Sequence, residues 1–159
     1  MADTQALDTL LEQATGARDS ALDAHRRALG AVEAARRQGE QLAEYRREYL
    51  RRFGFQPGRA GAMEVLRCYQ GFMARLDDAV AQQAQVTAQA GRRADEARTA
   101  LQAAELRVAS VRKLIERRAA EALQRRERAE QKASDEFASR AAWQRLAAAG
   151  ADGFGFGMA

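Results

Sequence analysis

Only one proline stands in the chain, at position 57, so no second position carries the ring that removes a backbone donor and clashes with the preceding turn. Aromatic residues make up 6% of the sequence, and the 47% hydrophobic content is carried largely by alanine. That composition excludes a thick globular core. Cys68 is the only cysteine, which excludes an intrachain disulfide and any site built from several thiolates; a small apolar filler is its expected role. There is one histidine, His25, no glycine-rich loop between a strand and a helix, and no nucleophile spaced with a base, so an enzyme is not expected, nor any metal or cofactor. No apolar run approaches the roughly 20 residues that span a bilayer, and MADTQALD lacks the basic start and apolar stretch of a signal peptide; a cytoplasmic protein is expected.

What the chain does contain is alanine, arginine, glutamate, glutamine and leucine, with 30% of residues charged. This is the composition of long helices with thin apolar seams. Residues 1–53 hold 9 Lys/Arg against 9 Asp/Glu and residues 54–106 hold 6 against 6, so the whole net charge of +4 falls in residues 107–159. A basic end of that kind can meet an acidic protein surface or a phosphate backbone.

Leu11, Leu22, Leu29, Val32, Leu50 and Phe53 recur at helical spacing, which predicts a first helix over 3–53. GFQPGRAG, residues 54–61, holds three glycines and the proline and is expected to turn. Beyond it Leu66, Met73, Val80, Thr87, Ala94, Leu101, Val108, Ile115 and Ala122 repeat every seven residues, with Tyr69, Leu76, Ala97, Ala104 and Val111 at the companion positions. A heptad sustained this long predicts a supercoiled second helix over 62–147. The expected fold is all-α: a long two-helix antiparallel coiled-coil hairpin over residues 1–149, with an overhanging C-terminal helix and a flexible glycine-rich tail over 150–159. A turn centred near residue 57 would place 38 opposite 76, 42 opposite 72 and 45 opposite 69.

Within the first helix, LAEYRREYLRRF (42–53) sets Tyr45 and Tyr49 among four arginines. On an ideal helix Gln38, Leu42, Tyr45 and Tyr49 centre about 150° from the aliphatic face, and about 100° from it on a supercoiled helix of 3.5 residues per turn. Two readings follow. Leu7, Leu10, Ala14, Ala17, Ala21, Ala24, Ala28, Ala31 and Ala35 lead into Gln38, Leu42, Tyr45 and Tyr49 in heptad spacing, which describes an alanine seam ending in packed tyrosines. Alternatively the tyrosines are presented to a partner. RRERAEQK and similar runs read as solvated faces of mixed sign, and His25 as an exposed or flank-packed helical residue.

The order LAEYRREYLRRF, a short turn, MEVLRCYQGFMARLDDAVAQQ, and a long heptad helix ending in EQKASDEFASRAAW resembles the flagellar export protein FliJ family over about residues 5–145. The resemblance implies a non-catalytic cytoplasmic component of the flagellar type III export apparatus, similar to the stalk subunit of rotary ATPases and peripheral to the inner membrane at the flagellar base. Its implied partners are the export ATPase ring, the cytoplasmic domain of the export gate, and substrate-specific export chaperones. The gate-facing patch of the family maps onto Gln38, Leu42, Tyr45 and Tyr49 on the first helix and Phe72, Leu76, Ala79 and Gln83 on the second. A contiguous apolar patch of that size favours presentation to a partner. The ATPase contact is expected from Arg112, Lys113, Arg117, Arg118, Arg125, Arg126 and Arg128, on turns beyond the reach of the first helix. A related injectisome stalk would share the fold. A nucleic-acid-binding coiled coil using residues 112–145 is disfavoured, because Glu116, Glu121, Glu127, Glu130, Asp135 and Glu136 interrupt the basic run.

Overall fold

The structure is a computed structural model that describes residues 2–53 and 62–152. Two α-helices account for them: α1, Ala2–Phe53, and α2, Ala62–Asp152. The expected turn at 54–61 and residues 153–159 of the expected tail lie outside the described residues. Helix α2 continues past the expected end at 147, through Gly150 to Asp152. Neither helix contains a proline, and both are rich in alanine, arginine, glutamate and leucine, whose low helix cost lets regular structure persist over 52 and 91 residues.

The chain divides into two units, residues 1–110 and 111–159. In the first, α1 and the leading part of α2 pack antiparallel as an all-α hairpin: Ala35 lies against Gln83, Arg46 against Asp77, and Tyr49 against Tyr69 and Phe72. In the second, residues 116–152 are exposed except for Ala141, which is half-buried.

Burial traces the seam. On α2 the inward residues of the first unit recur at alternating steps of three and four: Met73, Leu76, Ala94, Leu101 and Val108 are buried, while Leu66, Tyr69, Val80, Gln83, Thr87, Ala97 and Ala104 are half-buried; in the second unit Val111 is buried and Ile115 half-buried. Ala122, the last residue of the expected heptad, is exposed. On α1 the inward series is Leu7, Ala14, Ala21, Ala28, Ala35, Leu42 and Tyr49, joined by Leu11, Arg18, His25, Val32, Gly39 and Arg46. Every one of these is buried or half-buried, and only Ala14 and Ala35 are fully buried.

Three expectations change here. The alanine series is the seam, and the aliphatic series is only partly inward: Leu11 and Val32 face α2, Leu22 is half-buried on the flank, and Leu29 and Leu50 are exposed. The reason is phase. Leu22, Leu29 and Leu50 stand at multiples of seven from one another and so share one heptad position, but it is the flanking position four places beyond Arg18, His25 and Arg46, beside the contact line and not on it. The companions of the alanines are also not Leu10, Ala17, Ala24, Ala31, Gln38 and Tyr45, which are exposed, but the residues four places after each alanine. That brings His25 into the seam. Finally, the pairing is displaced by one to two helical turns along α2 from the expected register, since Tyr49 and not Tyr45 meets Tyr69.

Several glycines lie inside these helices with open space around them, and an added methyl at Gly16 or Gly30 would meet nothing within 4 Å. Glycine in a helix interior costs about 0.5–1 kcal/mol relative to alanine. Gly16→Ala and Gly30→Ala should therefore each raise stability by about that amount, read as a shift of the urea midpoint with an unchanged slope.

Candidate functional site

With a and d denoting the two inward positions of each heptad, α1 places Gly39 and Arg46 at a and Ala35, Leu42 and Tyr49 at d; α2 places Met73 and Val80 at a and Tyr69, Leu76 and Gln83 at d. Position g lies beside d on the same edge of a helix, and e beside a on the other. Gln38 and Tyr45 are then g residues of α1, and Phe72 and Ala79 are g residues of α2. In an antiparallel pair the two g edges adjoin. The eight residues Gln38, Leu42, Tyr45, Tyr49, Phe72, Leu76, Ala79 and Gln83 thus occupy d and g of both helices, along one side of the hairpin.

They are not equally available. Leu76 is buried, and Leu42, Tyr49, Phe72, Ala79 and Gln83 are half-buried, while Gln38 and Tyr45 are exposed. The Tyr49 ring is enclosed by three others: Phe72 at 4.3 Å between centroids, Phe53 at 4.8 Å, and Tyr69 at 5.8 Å in a near-parallel stack of 11°. Among the described rings Tyr45 meets only Phe72, edge-on at 6.4 Å and 71°, and is 51% exposed. Geometry divides the two tyrosines, one serving the seam and the other lying open beside it. Such ring pairs contribute about 0.5–1.5 kcal/mol each beyond the area they cover.

The opposite, a/e side carries a different chemistry. Arg46 lays its stem in the seam and its Nε donates to Asp77 Oδ1 at 2.6 Å, linking the helices. Both side chains remain well exposed, so the pair is screened by salt and is worth at most about 1 kcal/mol. On the outer face of α1 Arg47 donates to Glu44 and Arg52 pairs with Glu48. The Arg47 hydrogen bond, with its charge, holds the Glu44 carboxyl below the ordinary carboxylate range. With its pKa depressed, Glu44 favours the folded helix above the unfolded pKa, and that contribution is lost as pH falls through the folded value.

The basic residues expected to act as a second site, Arg112, Lys113, Arg117, Arg118, Arg125, Arg126 and Arg128, are all exposed on α2 in the second unit. Nearby acidic residues of the same helix are exposed as well. Sequence reasoning missed Tyr69 and Phe53 as partners of Tyr49; the four-residue spacing of Tyr49 and Phe53 was the available signal. Among the described residues no group of acidic, histidine or cysteine side chains could hold a metal ion, and no helix is long and apolar enough to cross a membrane.

An antiparallel helical hairpin with its chemistry displayed along helix surfaces belongs, as a class, with the all-α coiled-coil-like proteins. The family model described as Flagellar FliJ protein matches residues 3–147, and the chain belongs to that family of flagellar export components. Neither the curated proteins nor the solved structures contain a match to this chain.

The division between the tyrosines predicts an asymmetry. Tyr49→Ala strips three rings of a neighbour and should cost about 2–4 kcal/mol, a loss typical of truncating a packed aromatic. Tyr45→Ala should cost less than about 1 kcal/mol. Thermal and urea melts of the two single variants measure the difference.

Proposed function

We propose that this member of the family acts as the central stalk of the flagellar export ATPase ring, joining the ring to the cytoplasmic domain of the export gate and escorting export chaperones. The reading places it in the cytoplasm, at the inner face of the membrane beneath the flagellum. The observation that carries it is the one-sided placement of Gln38, Leu42, Tyr45, Tyr49, Phe72, Leu76, Ala79 and Gln83, half of them seam and half rim. A seam packed on its inner side supports the rim aromatics rigidly, and a rigid aromatic loses little entropy when a partner covers it. In this reading Tyr45 and Phe72 meet the gate, and Tyr49 and Leu76 hold them in place.

The ring contact is assigned to Arg112, Lys113, Arg117, Arg118, Arg125, Arg126 and Arg128, whose exposed guanidinium and ammonium groups complement an acidic lining. Their separation in sequence from the aromatic side allows one chain to serve both partners.

Two experiments separate the two halves of the proposal. Tyr45→Ala should weaken binding to the isolated gate domain by about 30-fold, the loss typical of an interface tyrosine, while costing less than about 1 kcal/mol of stability. Gate binding unchanged within threefold would remove Tyr45 from the contact. Reversing Arg117, Arg118, Arg125 and Arg126 to glutamate should abolish stimulation of the cognate ATPase at unchanged helicity, and the stimulation by the unaltered chain should decline with added salt. Full stimulation by the reversed variant would place the ring contact elsewhere.

A further inference from the structure

Gln83 is the one glutamine at an inward position of either helix among the described residues, and its side chain crosses the seam. Its Nε2 donates to the main-chain carbonyl oxygen of Ala35 at 2.9 Å, joining residues 48 apart in a half-buried setting. A helical carbonyl already accepts from the amide four residues on, here that of Gly39, and has a second lone pair for Gln83. Gly39 is also the one inward glycine of α1 among the described residues. A methyl at that position would lie 3.7 Å from Gln83 Cγ, so the glutamine passes directly beside the glycine to reach the backbone behind it.

The alanine positions of the seam cannot select a register by shape. Ala14, Ala21, Ala28 and Ala35 are identical knobs seven residues apart, and they face a stretch of α2 that itself offers Ala90, Ala94 and Ala97. Sliding α1 by one heptad exchanges alanine for alanine. The aromatic end does not exclude the displaced registers, because Tyr49 shifted by one heptad loses its ring partners but still meets apolar side chains, Leu76 and Val80 in one direction and Leu66 in the other. A buried polar group behaves otherwise, since it costs free energy wherever its hydrogen bond is not made. In either displaced register Gln83 would meet Val32 or Arg46 in place of Gly39, and the side chain there would block the path to the carbonyl.

We infer that Gln83, seated against Gly39 and bonded to the Ala35 carbonyl, is the positioning residue that fixes the register of the hairpin and thereby sets Tyr45 beside Phe72. An inward polar side chain that specifies register at some cost in stability is a known device of paired helices. The inference goes beyond the proposed function, since it assigns Gln83 a role within the chain that holds whichever partner covers the aromatic side.

The full-length chain carrying Cys68→Ser, with spin labels on cysteines placed at the exposed positions Ala17 and Val86, reports the register directly. The labels lie about 24 Å apart along the helix axes, and a slip of one heptad moves them by about 10 Å. With Gln83 present one distance is expected. Gln83→Leu, which keeps the packing, and Gln83→Asn, one methylene too short to reach, should each add a second population displaced by about 10 Å and amounting to a tenth of molecules or more. Gly39→Ala should retain the single distance, because 3.7 Å is ordinary contact. Gln83→Leu should melt no lower than the parent. A residue that merely packs would lower the melting temperature and leave the distance alone. A single undisplaced distance in both Gln83→Leu and Gln83→Asn would overturn the assignment.

Discussion

Between Ala14 and Gly39 the inward side of α1 offers alanine, glycine, one valine, His25 and Arg18, and nothing larger that is apolar. Every other feature of the hairpin follows from how little this seam can bury. Alanine brings two helices close together but removes little apolar area from water, at about 25 cal/mol per Å². The larger side chains are gathered at its ends: Leu101 and Val108 at one, and Met73, Leu76 and the ring cluster around Tyr49 at the other. Stability, register and the display of a surface are therefore handled by different residues, which a thick core would have combined.

The sidedness of the cluster is the link to function. Because d adjoins g, the rings that close the seam and the rings that stand open belong to the same edge, and Phe72 touches both tyrosines. A partner settling on Tyr45 would add to a packed layer already built beneath it. On the other edge the linking interaction is an exposed ion pair, Arg46 with Asp77. One side of the hairpin thus has aromatic, weakly salt-sensitive chemistry and the other charged, salt-sensitive chemistry, within a protein of the flagellar FliJ family.

Much of this was legible in the sequence, and the failures have physical causes. The α2 heptad could be read because leucine, methionine and valine mark it against a polar background; only Ala122 fell off its end. On α1 alanine occupies both inward and outward positions, so Ala17, Ala24 and Ala31 could not be told from Ala14, Ala21 and Ala28 by residue type, and the seam was given the wrong companions. His25 and Arg18 were overlooked there because inward positions are not expected to be charged or titratable. The register erred because the centre of a connecting segment does not determine where two alanine surfaces meet. The eight residues of the patch were expected from the family resemblance and lie along one side of the hairpin, while the unequal burial of Tyr45 and Tyr49 depended on the register.

The central claim is that an alanine seam leaves stability concentrated in the aromatic end of the hairpin. Native-state amide hydrogen exchange resolved along the chain tests it most directly, since protection reports the free energy of local opening. The strongest protection is expected at residues 42–49 and 69–76, with intermediate values at 101–111, weaker ones at 18–35 and 83–97, and the weakest at 116–152. Uniform protection along α1, or a maximum at Ala21–Ala35, would show that the alanine contacts themselves hold the helices together and would contradict the account.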